Sequence, residues 1–152
     1  MSTFLTDSKK RRYVWPVDSE ELLRSNGLRV TRQRLAVLAV LDEGGHPTVD
    51  EIARRAREKV SSLSTQAVYN VLTVLNEHGL ARRIEPSGSH ARFESRTGDN
   101  HHHVVCEHCG RVEDVDCATG SAPCLHAAQS HGFAINEAEV TYWGTCPTCL
   151  AS

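Results

Sequence analysis

Two Cys-x-x-Cys pairs, Cys106/Cys109 in "CEHC" and Cys146/Cys149 in "CPTC", are separated by 36 residues in this chain. Thiols two residues apart can grip one ion from a single tight turn, and two such pairs at the ends of neighbouring strands make a closed tetrahedral four-cysteine zinc site. With no open coordination position, the ion in such a site is structural and supplies folding energy to a segment too small to rely on its core. The interval is longer than a simple zinc ribbon, so the ligands have to be gathered by folding around a helix. The other chemistry open to this spacing is a pair of redox-active dithiols. Six cysteines in a secreted chain would point to disulfides instead. The opening "MSTFLTDSKKRRYVW", however, puts its basic cluster after its few apolar residues, the reverse of a secretory signal, and no apolar run nears the roughly 20 residues that cross a bilayer. The expectation is a soluble cytoplasmic protein with structural Zn2+ and no membrane partner.

Charge divides the chain. Residues 1–92 hold 15 Lys and Arg against 11 Asp and Glu, whereas residues 93–152 hold 2 against 8, together with every cysteine. At 152 residues two small domains fit as well as one. The split favours two, a basic unit over 1–90 that includes a basic extension over 1–17, and an acidic metal-binding unit over 91–152. The basic unit suits a polyanionic partner.

Four helices are predicted in the basic unit. "VDSEELLRSNG" opens with Asp18 or Ser19 as N-cap and closes at Gly27, and "TRQRLAVLAVLDEGG" runs from Thr31 to Gly44 with Leu35, Val37, Leu38, Val40 and Leu41 for the core. Thr48 and Glu51 form a capping box for "TVDEIARRAREK", which turns Ile52 and Ala56 inward and Arg54, Arg55 and Arg57 outward. "STQAVYNVLTVLNEHG" starts at Ser64, buries Val68, Val71, Leu72 and Leu75, and leaves a polar, uncharged face. "LARRIE" and "ARFES" then read as two strands around the turn "PSGS". This is a winged helix-turn-helix pattern. In it Ser64, Thr65, Gln66, Tyr69 and Asn70 meet base edges in the major groove of double-stranded DNA, and Arg82, Arg83 and Arg92 place the wing on phosphates. A small helical domain with no DNA role has the same local pattern. The "KKRRYVW" segment suits a DNA-touching arm or a plain tail equally.

The second unit reads as a small α/β domain with strands in "HHHVVCEHC", "RVEDVDC" and "EAEVTYWGTC" and a helix in "PCLHAAQSHGF". Cys106/Cys109 end its first strand and Cys146/Cys149 its last. Side chains alternate along a strand, so His101 and His103 share one face and His102 takes the other. A pair of imidazoles at this spacing is a ligand pair or a solvated strand. Glu94 on the strand before and Asp114 on the strand after can add oxygen ligands. His46, in the loop "EGGHPT", can reach across from the basic unit, but a lone loop histidine is usually solvent-exposed and the residues alone do not make it a ligand. An open metal site built from Glu94, His101, His103 and Asp114 would also suit a hydrolase, but no general base or substrate pocket is identifiable.

Taken in order, "GLRVTRQRLAVLAVL", "HPTVDEI", "STQAVYNVLTVLNEHGL", "RFE", "NHHHVVCEHCGRVEDVD" and "CPTC" resemble the Fur family of metal-dependent repressors along nearly the whole chain. "GDNHHHVVC", "VDCATGSAPC" and "EVTYWGTCPTC" resemble its peroxide-responsive FurA/CatR branch. The resemblance implies an α+β homodimer, with N-terminal winged helices on operator DNA and a C-terminal α/β dimerisation domain holding the four-cysteine zinc. It implies a regulatory metal, Fe2+ or Mn2+, at His46, Glu94, His101, His103 and Asp114, and repression of a catalase-peroxidase gene and of the chain's own gene. Asp114, where many iron sensors have Glu, resembles the peroxide-sensing branch; plain iron sensing stays open. A further metal site of many relatives is not implied, because the matching positions carry Ser121 and Ala138. Cys117 and Cys124 are left over, as a thiol switch or as free cysteines.

Overall fold

The structure, a computed structural model, describes residues 17–95, 97, 101–116, 127, 129–135 and 138–152. Four helices come first: α1 (Val17–Ser25), α2 (Arg32–Asp42), α3 (Val49–Arg57) and α4 (Thr65–Glu77). The caps follow the sequence signals at three of them. Thr31 accepts from the Arg34 amide, Ser64 accepts from the Ala67 amide, and Thr48 with Glu51 closes a reciprocal capping box. The first helix departs from expectation, because it already begins at Val17. Asp18 and Ser19 therefore lie inside its first turn, where Asp18 and Glu20 face the positive end of the helix dipole.

Helix α2 is the hub. Every residue from Leu35 to Leu41 is buried, which exceeds a one-sided stripe because α1, α3, α4 and the wing surround this helix. The core holds nineteen buried side chains, from Leu23 through Leu38, Ile52 and Leu72 to Phe93.

The wing pairs β1 (Arg82–Ile84) with β2 (Arg92–Glu94) in antiparallel register, Arg82 opposite Glu94. β2 pairs with β1, and its Phe93 enters the helical core. The second sheet has the order β4-β3-β5, from β3 (His102–Cys106), β4 (Val112–Val115) and β5 (Thr141–Gly144). β3 is antiparallel to β4 and parallel to β5, with His103 beside both Asp114 and Thr141. A short helix, α5 (Pro147–Leu150), follows, so Cys146 is its N-cap and Cys149 lies within it, beyond the strand that was expected to carry them. The helix expected over 123–133 falls largely outside the described residues, and those described there carry none. Cys117, Cys124 and residues 1–16 also lie outside the described residues.

Candidate metal centres and nucleic-acid interface

The four thiols converge. Cys106, Cys109, Cys146 and Cys149 each bring Sγ within 4.8 Å of the others, and Cys109 Sγ lies 3.7 Å from Cys146 Sγ. Thiolates 2.3 Å from a tetrahedral Zn2+ are about 3.8 Å apart, whereas a disulfide needs roughly 2 Å. All four are free thiols. The turn after β3 is closed by the Gly110 amide donating to the Cys106 carbonyl, with Gly110 at φ 71, and the Cys146 amide donates to Cys106 Sγ at 3.3 Å. Amides of Cys109 and Cys146 pull the Cys106 thiol down to about 6, while hydrogen bonds with Cys146 and Cys109 push Cys149 up to about 12. Mutual repulsion thus resists full ionisation of the cluster unless a cation compensates it.

The second cluster joins the two units. His46, Glu94, His103 and Asp114 each bring one donor atom within 4.8 Å of the others. Glu94 Oε2 is 3.0 Å from His46 Nε2, 3.2 Å from His101 Nε2 and 3.3 Å from His103 Nε2. Asp114 Oδ1 reaches the same three nitrogens at 2.7, 3.6 and 3.7 Å. Neighbouring ligands of an ion with 2.1 Å bonds stand about 3.0 to 3.4 Å apart, so the spacing suits one dication held by nitrogen and oxygen donors. His101 and His103 are 1% and 0% exposed, which excludes the solvated-strand reading of their alternation. Glu94 Oε1 and His46 Nδ1 are buried without a hydrogen-bond partner, and polar atoms so placed are costly unless an ion or water meets them. Burial opposes ionisation of Glu94, but bonds from His103, His46 and His101 win and hold its carboxyl far below the usual range. Burial likewise opposes protonation of His46, yet Glu94 and Asp114 raise its pKa. A cavity of about 60 Å³ bounded by Leu41, Gly44, His46, Glu94 and Asp114 adjoins the cluster, room for a water or a molecule of its size.

His46 arrives there through an unusual turn. Gly44, Gly45 and His46 have φ of 78, 90 and 44, and a left-handed histidine persists only when its surroundings hold it. Arg92 does so, donating from Nη1 to the His46 carbonyl at 3.0 Å, while the Phe93 amide donates to the Pro47 carbonyl. Arg92 is therefore turned inward at 17% side-chain exposure. Arg82 is similarly engaged, 3.5 Å from Glu139, and Arg83 remains at the surface beside Glu85. Ser64, Thr65, Gln66, Tyr69 and Asn70 are all exposed on the first turns of α4, with Thr65 accepting from Arg57 and Gln66 donating to Asn70. The part Arg92 plays in holding the His46 turn was not legible in the sequence; the signal, an Arg two residues before a ligand, is informative only once the pairing is known.

The fold and the two clusters define a winged-helix protein with two metal-ligand sets, and comparison with known proteins assigns the family. The ferric uptake regulator family model matches residues 25–143. The transcriptional regulator FurA of Mycobacterium tuberculosis is 53% identical over 135 residues, 89% of this chain and 92% of the relative. The peroxide operon regulator of Bacillus subtilis is 33% identical over 130 residues, 85% of this chain and 89% of the relative. Among solved structures, the Campylobacter jejuni peroxide stress regulator superposes with a TM-score of 0.65 at 30% identity, covering 85% of this chain and 97% of that one. The chain belongs to the ferric uptake regulator family, metal-dependent transcriptional regulators that bind DNA as dimers and are not enzymes. No helix among the described residues is long and apolar enough to cross a membrane.

Proposed function

We propose that this protein is a cytoplasmic, peroxide-responsive repressor that binds operator DNA as a homodimer when its regulatory metal is present, and that it controls a catalase-peroxidase gene and its own gene. Zn2+ at Cys106, Cys109, Cys146 and Cys149 holds the sheet unit together. Fe2+ or Mn2+ occupies His46, Glu94, His101, His103 and Asp114, since imidazoles with two carboxylates and no thiolate suit these metals. The observation that carries this reading is the convergence of His46, from the loop before α3, with His101, His103 and Asp114 from the sheet unit. An ion bound by both units favours one relative placement of the winged helix, and a dimer reads two half-sites only when its two recognition helices have the right spacing. Ser64, Thr65, Gln66, Tyr69 and Asn70 on α4 read bases, and Arg83 meets phosphate. Arg82 and Arg92 flank it on the wing, where Arg82 also pairs with Glu139 and Arg92 holds the His46 turn. Fe2+ held by these ligands would supply the electrons that reduce hydrogen peroxide, and His46, His101 and His103 are the buried imidazoles placed next to that chemistry. The cavity of about 60 Å³ next to Asp114 leaves room beside the ligands for a small molecule.

The test is to load zinc-replete protein with Fe2+ without oxygen, add peroxide, and map added oxygen by peptide mass spectrometry while following operator binding. Oxygen on His46, His101 or His103, with loss of DNA binding and no change in the Mn2+-loaded control, supports the reading. A Cys117–Cys124 disulfide with intact histidines would move the mechanism to thiols. A second reading, an iron-responsive repressor of iron uptake, is favoured by the same donor set, which holds Fe2+ whether or not peroxide is present. It predicts operator binding that follows iron and no modified residue.

A further inference from the structure

The carboxylate of Glu139 stands between the wing and the histidine cluster. Its Oε1 is 3.5 Å from His103 Nδ1 and its Oε2 is 3.5 Å from Arg82 Nη2 on β1. The backbone holds it there: the His103 amide donates to the Val140 carbonyl at 3.3 Å, and the Val140 amide donates to His102 Nδ1 at 3.2 Å. His103 Nδ1 is buried without a hydrogen-bond partner, Glu139 Oε1 being the carboxylate oxygen placed 3.5 Å from it, while its Nε2 faces Glu94 and Asp114. An imidazole that ligates through Nε2 carries its proton on Nδ1, and an acceptor there sets the tautomer and the ring orientation.

We propose that Glu139 is a positioning residue for the regulatory metal, accepting from His103 Nδ1–H so that Nε2 faces the ion, with Arg82 holding the carboxylate in place from the wing. This rests on the metal-site reading above. The ion pair thereby adds to the ties that His46 and Glu94 already make between the units.

Zinc-replete protein titrated with Mn2+, followed by the EPR signal of the free ion, tests this without recourse to DNA. Glu139→Ala raises the Mn2+ dissociation constant about 10- to 100-fold, the usual effect of losing such a partner. Glu139→Gln keeps a carbonyl acceptor and recovers part of that loss. Arg82→Met leaves the acceptor in place and costs less than Glu139→Ala. Zinc content and the thermal melt report that each variant is folded. Mn2+ affinity within twofold of wild type in folded Glu139→Ala overturns the proposal. So does an equal loss in Arg82→Met and Glu139→Ala with no recovery by Gln, which would make Glu139 an interdomain tie alone. His103→Ala separates the two levels. If it binds Mn2+ like wild type, the metal-site reading fails and Glu139 falls with it; if it abolishes binding while Glu139→Ala does not, only the Glu139 proposal fails.

Discussion

Removing the structural zinc should melt one half of the molecule and leave the other. The described sheet buries only two aliphatic side chains, Val105 and Val112, since the nineteen-residue core draws nothing from beyond Phe93. Those two contribute about 3 to 6 kcal/mol. Strands β3, β4 and β5 hold thirteen residues, and ordering a backbone of that length costs about 13 to 26 kcal/mol. A structural zinc contributes about 10 to 16 kcal/mol at neutral pH, which closes the difference to within a few kcal/mol. Chelation of zinc, or Cys109→Ser, is therefore expected to abolish amide protection of residues 102–106, 112–115 and 141–144 in hydrogen-exchange NMR. Residues of α2, α3 and α4 keep theirs, because their core is intact. Mn2+ binding disappears with the sheet, which carries His101, His103 and Asp114. Zinc-free protein that retains protected strands and wild-type Mn2+ affinity would refute the reasoning.

The regulatory site should respond to pH with a definite sign. The His46 pKa is raised above 6.5, so its contribution to metal-free stability is full below 6.5 and is lost as pH rises through the folded value. The Glu94 pKa is depressed below 4.5, so its contribution is present above 4.5 and is lost only as pH falls through the much lower folded value. Metal-free protein is thus stabilised most by this pair between 4.5 and 6.5, whereas Mn2+ affinity rises with pH, about tenfold per unit for each proton displaced; calorimetry in two buffers of different ionisation enthalpy counts the protons. Thr48→Ala removes the capping box and lowers the Tm of the helical unit by about 4–8 °C, corresponding to about 1 kcal/mol, readable by circular dichroism. Asn70→Ala costs about 1–3 kcal/mol on the operator and relaxes base preference, while Arg83→Ala weakens all sequences alike and reduces the salt slope by about 1, a contrast that binding isotherms at several ionic strengths resolve.

Local chemistry was legible in the chain. Thr31, Thr48 and Ser64 start helices where they do because a side-chain oxygen beside an unsatisfied amide is a short-range interaction, complete within four residues. The alternation of His101, His102 and His103 follows from strand geometry alone, and the Cys-x-x-Cys pairs name their partners by type. Burial of the whole of α2 was not legible, because periodicity describes one helix and cannot count the neighbours around it. Tertiary structure decided the rest. His46 joins the cluster only because two glycines and a left-handed turn, held by Arg92 from a strand 46 residues away, redirect an exposed-looking loop. Glu139 meets His103 only because β5 pairs in parallel with β3, a long-range register that no local pattern encodes. The residue types determine which ligands are available; the contacts between distant segments determine which of them share one ion.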